Sequence, residues 1–485
     1  MRDAVTLREL AGSVSGRVVG EAAVAVSDVT HDSRAAGPGV LFVAVRGFTV
    51  DGHDFVTAAA AAGAPAVCVE DEDARHGLPA IVVDDTRAAL GALASAVHGN
   101  PSEFLRLVGV TGTNGKTTVT HLIESIADAA GLPHAIVGTV GARIGGEPVP
   151  VARTTPEATD FQRLLARMVA AGVDVAAVEV SSHALALGRV AATRFTVAAF
   201  TNLSRDHLDF HGDMASYLAA KASLFDHADE AVVWVDDPAG ATIADRLTIP
   251  VTSVGGEEQE VHVAASDIEV GFGGSRFTAR GRTGSADIDL PLAGRFNVAN
   301  ALVAAACAEV LGVRWAEIAA GIASVPPVPG RFELVPTPAE FTVVVDYAHT
   351  PNGIVAAVAA ARDILGGNGR VITVVGAGGD RDRDKRPLMG AAAAAADVAV
   401  LTSDNPRSED PAEILASVAA GAQGSSAVVF EEIDRRRAIR KALEEARPGD
   451  AVLILGKGHE PGQDLGSRMV PFDDRVVARE EAAAL

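Results

Sequence analysis

Gly112-Thr113-Asn114-Gly115-Lys116-Thr117-Thr118 is the stretch whose reading decides the fold. It follows Leu105–Val110, an apolar run that reads as a buried strand, and precedes Val119–Ala130, where apolar residues recur at helical spacing. Strand, glycine turn and helix form the setting of a phosphate-binding loop, in which backbone N–H groups and the positive helix end converge on an anion. Lys116 is then placed for the terminal phosphates and the Thr117 hydroxyl for Mg²⁺. The general nucleotide-loop pattern asks for glycine five positions before Gly115, where this chain has Val110. A tight turn without function is the competing reading, and the intact Gly-Lys-Thr at the helix entrance favours phosphate.

Outward from this loop the chain divides into three regions. Residues 1–100 alternate short β-rich runs (Val40–Val45, Ala66–Val69, Ile81–Val83) with an alanine-rich helix near Val56–Ala62. Residues 101–328 carry the loop and further strand-like runs, Val175–Val180 and Thr196–Thr201 among them, with an antiparallel excursion expected near Thr248–Leu292. The run Val325-Pro326-Pro327-Val328-Pro329-Gly330 reads as a stiff connector. From 329 to 485, strands at Thr342–Val345, Val371–Val375, Val398–Thr402 and Ala451–Leu455 alternate with helices, the order of a parallel α/β sheet. The expected fold class is α/β in three domains.

Length and composition agree, since 485 residues exceed one ordinary core. A net charge of −22 argues against nucleic acid or an anionic membrane as partner, so an anionic substrate needs a local cluster of Lys and Arg. Only Cys68 and Cys307 occur, without disulfide or zinc spacing, and no signal-peptide core or membrane-spanning run is visible. A cytoplasmic protein is expected.

Polar clusters recur where strands end, which is where α/β proteins place their sites. Glu179-Val180-Ser181-Ser182-His183 offers a carboxylate for Mg²⁺, or a helix cap; Thr201-Asn202-Leu203-Ser204-Arg205-Asp206-His207-Leu208-Asp209 is too densely polar for a purely structural loop. Lys221, in the helical stretch Met214–Phe225, reads by itself as an exposed lysine. Asn297 and Asn300 open an alanine-rich helix, as caps or as partners of a purine edge. Gly378–Pro387, Asp404–Pro411 and Gly456–Glu460 follow successive strands and together suggest one polar pocket.

Taken in order along nearly the whole chain, these motifs resemble the Mur ligase family of ATP-dependent amide-bond-forming enzymes, whose loop has the Gly-Thr-Asn-Gly-Lys-Thr form. Tyr347-Ala348-His349-Thr350-Pro351 and Gly456-Lys457-Gly458-His459-Glu460 resemble the branch that extends UDP-N-acetylmuramoyl-L-alanyl-D-glutamate by one residue in peptidoglycan precursor synthesis. The resemblance implies an N-terminal UDP-binding domain, a central ATPase domain and a C-terminal amino-acid-binding domain. It implies contacts to the UDP-muramoyl dipeptide from Ser33, Phe48, Thr49, Thr154, Thr155, Ser181, Arg189 and Lys221, with Leu187 where some members carry Gln. ATP would be held by Gly112 to Thr118, Asn297, Arg331, Asp346 and His349. Lys221 matches the family's carbamylated lysine, and with Thr117, Glu179 and His207 would surround Mg²⁺; Lys116, Glu179, His207 and Lys221 are the implied catalytic set.

Asp404-Asn405-Pro406-Arg407 resembles the version that takes meso-2,6-diaminopimelate, with Arg381, Gly456 and Glu460 completing that site. A guanidinium fork suits the distal carboxylate that lysine lacks. Leaving Arg407 buried and unpaired against lysine would cost about 3–5 kcal/mol. A lysine-adding member, a folylpolyglutamate synthetase and a non-catalytic nucleotide switch are the alternatives; Arg407, the N-terminal region with Tyr347–Pro351, and Lys221 argue against them in turn.

Overall fold

The computed structural model describes residues 4–256 and 260–485. Three principal sheets follow one another along the chain. The first orders Arg17–Val19, Ala80–Val82, Ala66–Val69, Val40–Val43 and Asp28–Thr30, all parallel but the first. Ala66–Val69 is buried on both faces, which is why it reads as an unbroken apolar run.

Among the described residues the second sheet has eleven strands. Its parallel part runs, in spatial order, His134–Gly138, Val175–Glu179, Arg106–Thr111, Phe195–Phe200, Ala228–Trp234, Val251–Gly255 and Val263–Gly271. Gly274–Arg280 and Ser285–Leu290 extend it antiparallel, within the stretch where an excursion is expected. Arg106–Thr111 is central, so the loop after it opens at the middle of the sheet's C-terminal edge. Val110, where the general pattern wants glycine, is a fully buried residue inside this strand. The tight turn starts only at Gly112.

The third sheet orders Glu333–Leu334, Thr342–Asp346, Ala451–Leu455, Val371–Ala377, Val398–Ser403 and Val428–Glu431, parallel apart from the first strand. Helices cover it on both faces, and small residues such as Ala357, Ala361, Ala393 and Val418 let them pack closely. The helix Lys385–Ala393 ends inside the alanine run 391–396, and Met214–Ala222 stops short of Phe225, giving way to a 3₁₀ turn, Ser223–His227. No helix among the described residues is long and apolar enough to cross a membrane.

Candidate active site

The helix Lys116–Ala129 begins on Gly115, whose φ of +90° is open to glycine but strained for other residues. A Cβ there would lie 2.3 Å from Asn300 Oδ1, so the turn is closed against the helix Arg295–Val310. No side chain caps this helix, which leaves its first amide groups as donors for an anion. Asn202 and Thr201 brace the loop from the next strand: Asn202 Oδ1 accepts from Asn114 N at 3.0 Å, and Thr201 Oγ1 donates to Asn114 O at 2.6 Å.

Two ammonium groups converge on one carbonyl. Lys116 Nζ donates to Gly112 O and Thr113 O, each at 2.9 Å, and Lys221 Nζ donates to Gly112 O at 2.7 Å. Lys221 is only 1% exposed, against the expectation for a lone helical lysine, and lies 4.5 Å from the centre of the Tyr217 ring. Burial holds its pKa well below the usual lysine value, and the charge of Lys116 pushes the same way against Asp206. Lys116 is lowered too, first by burial. Burial and the neighbouring charge of Lys116 thus favour the neutral amine of Lys221.

Glu179 ends its strand fully buried. Its oxygens accept from Thr139 N and Thr139 Oγ1, both at 2.9 Å. Thr154 joins through Thr139 Oγ1 at 3.2 Å, while Thr155 Oγ1 donates to the Glu179 carbonyl at 2.8 Å and accepts from Ser181 N at 3.1 Å. Arg189 approaches the Thr155 carbonyl at 3.4 Å and pairs with Glu157 at 2.8 Å. Ser181 caps the helix Ser182–Ala186, so the cap reading holds for that serine. Thr154, Thr155, Ser181 and Arg189 therefore share one network with Glu179.

His207 lies at φ +54° with Nε2 3.3 Å from Asp206 Oδ2, and burial holds it neutral. Asp206 is 7% exposed and is also approached by His349 Nε2 and Lys385 Nζ, each at 3.9 Å. Burial raises its pKa, but His349, His207, Lys385 and the His207 backbone N–H together outweigh this and leave it lowered. Asp206 thereby ties the second sheet's edge to the third.

Arg331 makes a second tie. Its Nη2 donates to Thr117 Oγ1 at 2.9 Å and its guanidinium lies 4.7 Å from the Tyr347 ring centre. Asp346 accepts from Phe332 N and Ala348 N, and burial raises its pKa despite Arg331. The cap expectation for Asn297 and Asn300 is overturned: both sit inside a helix whose N-cap is Gly294, Asn297 donating to Ala293 O and Asn300 to Asn297. Thr118 is buried beneath the loop.

In the first region, Ser33 starts a 3₁₀ turn capped by Asp32. Phe48 is 82% exposed yet meets Phe210 of the second region edge-on, ring centres 6.4 Å apart, with Thr49 exposed beside it.

On the third sheet the charged loops meet. Gly379 N donates to Asn405 O at 2.9 Å, and Asn405 Nδ2 donates to Glu460 Oε2 at 2.8 Å. Asp404 and Pro406 are buried around it, and Gly456, at φ +114°, faces Asp404. Arg381 is exposed and donates to the Asp380 carbonyl. Arg407, expected to be buried without a partner when lysine is bound, has partners within the protein: its side chain is 27% exposed, Nη1 donates to Gly379 O, and Nε lies 4.0 Å from Asp464. Solvent and these partners reduce the penalty reasoned from sequence for leaving it without a carboxylate.

Sequence reasoning passed over Thr139, Tyr217, Lys385 and Lys457. Their roles depend on distant strands, although Tyr217 is one of just two tyrosines and Lys457 lies within a quoted motif.

Family models match in three consecutive segments: the Mur ligase family catalytic domain at residues 25–98, the middle domain at 110–308 and the glutamate ligase domain at 330–458. A protein of Geobacillus thermodenitrificans called UDP-N-acetylmuramoyl-L-alanyl-D-glutamate--2,6-diaminopimelate ligase is 46% identical, over 92% of this chain and 93% of its own. The chain belongs to the Mur ligase family. A Streptomyces avermitilis protein of the same name is likewise 46% identical to this Mur ligase, over 98% of the chain and 96% of its own. A solved structure of that name superposes with a TM-score of 0.71 at 32% identity, covering 99% of each chain. The three-domain α/β architecture of this Mur ligase is that of its relatives.

Among the described residues, no cluster of three or more His, Cys, Asp or Glu side chains is arranged as a metal centre. The oxygen donors beside the loop are instead the Thr117 hydroxyl and the Glu179 carboxylate. These oxygens suit Mg²⁺, which the nitrogen of His207 suits less well.

Proposed function

We propose that this enzyme is an ATP-dependent ligase that joins meso-2,6-diaminopimelate to the free glutamate carboxylate of UDP-N-acetylmuramoyl-L-alanyl-D-glutamate. The observation that carries the reading is the convergence of Lys116 and the buried Lys221 on Gly112 O, at the mouth of a phosphate loop. A nucleotide switch has no use for a second buried lysine there; a ligase that must assemble a nucleotide, a metal and a carboxylate has.

Residues 1–100 would hold the UDP end through Ser33, Phe48 and Thr49, residues 101–328 the nucleotide and the acceptor peptide, and residues 329–485 the incoming amino acid. Thr154, Thr155, Ser181 and Arg189 would orient the peptide's carboxylate beside Glu179. The loop from Gly112 to Thr118 would bind the phosphates of ATP, with Asn297, Asp346 and His349 toward the base and ribose. Arg331 belongs nearer the phosphates than that pocket, because it already touches Thr117.

Neutral Lys221 would add CO₂, forming an N–C bond and releasing one proton, which turns a cation into an anionic oxygen ligand. When bound by Thr117, Glu179 and this carbamate, Mg²⁺ supplies charge neutralisation for the transferring phosphoryl group. The acceptor carboxylate oxygen bonds the γ-phosphorus as the bond to the ADP oxygen breaks, and Lys116 offsets the charge that accumulates. The amino-acid nitrogen then bonds the acyl carbon, the carbon–oxygen bond to phosphate breaks, and the nitrogen loses a proton. Holding three reactants in line supplies much of the rate.

The test is phosphate release by the purified protein with ATP, Mg²⁺, the UDP-muramoyl dipeptide and a panel of amino acids. Release that needs both the dipeptide and diaminopimelate is expected. No ADP with every component present would end the proposal.

A further inference from the structure

Two cations lie wholly inside the third sheet's C-terminal edge: the side chains of Arg435 and Lys457 have no exposed surface. Arg435 has a structural account. It pairs with the equally buried Asp474 and donates to the carbonyls of Leu455 at 3.0 Å and Ser403 at 3.4 Å. Those carbonyls end the strands from which the loops 404–411 and 456–460 depart, so one guanidinium fixes the roots of both.

Lys457 does something different, because it sits within a loop. Its Nζ donates to Asn405 Oδ1 and to Glu460 Oε2, each at 3.0 Å. Asn405 Oδ1 also accepts from Asp464 N at 2.9 Å, which leaves the amide nitrogen of Asn405 to donate to the same Glu460 oxygen at 2.8 Å. The orientation of Asn405 is thus determined, and both donors recorded on Glu460 fall on Oε2. Glu460 itself is 32% exposed, so this clamp holds one oxygen of a partly exposed carboxylate.

A buried ion pair adds little stability that an apolar side chain of similar volume would not. Neutralising Glu460 would by itself weaken its pull on a substrate ammonium. What the arrangement supplies is direction: two loops joined to each other close to where they leave their strands, and one carboxylate oxygen committed to the clamp. We propose that Lys457 is a positioning residue for the incoming amino acid, holding Glu460 and Asn405 so that Glu460 Oε1 receives the nucleophile's ammonium end. This rests on the proposed function above.

The two physical contributions of Lys457 predict opposite results. Loss of positioning raises KM for the amino acid; loss of charge neutralisation alone lowers it. The experiment is full steady-state kinetics on the whole enzyme for wild type, Lys457→Met, Lys457→Gln, Glu460→Gln and the double variant K457M/E460Q, with thermal melts of each. Expected is a rise in KM for diaminopimelate of about tenfold or more in both Lys457 variants, with KM for ATP and for the UDP-muramoyl dipeptide within about twofold of wild type. In the Glu460→Gln background, adding Lys457→Met should change KM by less than about twofold, because the lysine acts through the carboxylate. An unchanged or lowered KM for the amino acid, an equal rise in all three KM values, or full additivity in the double variant would overturn the inference while leaving the ligase reading intact. A wild type that cannot use diaminopimelate at all would remove both.

Discussion

Arg331 Nη2 donates to Thr117 Oγ1 at 2.9 Å, so the residue just beyond the proline-rich connector rests on the side chain that follows the phosphate-loop lysine. The third sheet is thereby attached to the nucleotide loop of the second. Arg331→Ala should lower kcat by about a hundredfold, the scale seen when one charge-stabilising donor is removed. Arg331→Lys keeps the charge without the fork and should recover only part of the loss. Phosphate-release kinetics measure both, and equal activity of Arg331→Ala and wild type would detach this contact from turnover.

Lys221 can form a carbamate only as a neutral amine, a state its burial favours. Lys221→Arg keeps a cation that cannot be carbamylated and should be inactive to within about a thousandfold of wild type, given the loss of a metal ligand together with an added repulsive charge. Wild-type activity should fall in CO₂-depleted buffer and return with bicarbonate. Indifference of the wild type to bicarbonate would remove carbamylation from the mechanism.

Arg407 is already hydrogen-bonded to the Gly379 carbonyl, which tempers what its removal does. Arg407→Ala should reduce kcat/KM for diaminopimelate by about ten- to a hundredfold, corresponding to the 1.5–3 kcal/mol of a charge-assisted hydrogen bond. Activity with lysine should change far less. Parallel losses on both amino acids would assign Arg407 to loop structure instead of selection.

Stability should decline as pH falls below about 6.5, the unperturbed value for histidine. Burial holds His121, His183 and His459 below their usual pKa in the folded state. Between the folded and unfolded values the unfolded chain binds more protons, so stability rises with pH in that window and is lost on acidification. Each unit of depression corresponds to about 1.4 kcal/mol. Thermal midpoints from pH 8 to 5 check the sign, and His121→Gln should flatten the slope, since His121 is 5% exposed.

The strands of the third sheet and the strand–loop–helix around Lys116 were legible because buried parallel strands leave unbroken apolar runs and glycine marks the turns. Lys221 was legible only through family likeness. Its burial arises from Gly112 and Tyr217, and local spacing carries no trace of a partner 109 positions away. Asn297 and Asn300 stayed ambiguous for the opposite reason: asparagine near a helix start suggests a cap or a purine partner, and of the two the cap is excluded, since Asn297 donates to Ala293 and Asn300 to Asn297. Arg407 showed its chemistry but not its partners, because Gly379 and Asp464 reach it from separate loops.

Gly330 and Gly458 meet backbone to backbone. Gly330 has φ +63° and a Cβ there would fall 2.2 Å from His459 N, while a Cβ on Gly458, at φ +53°, would fall 2.9 Å from Gly330 O and 2.8 Å from Tyr347 Cβ. Neither partner has a side chain left to shorten. A damaging change at either glycine therefore has no compensating trim at the other, and a genetic screen for suppressors should recover true revertants or main-chain shifts elsewhere.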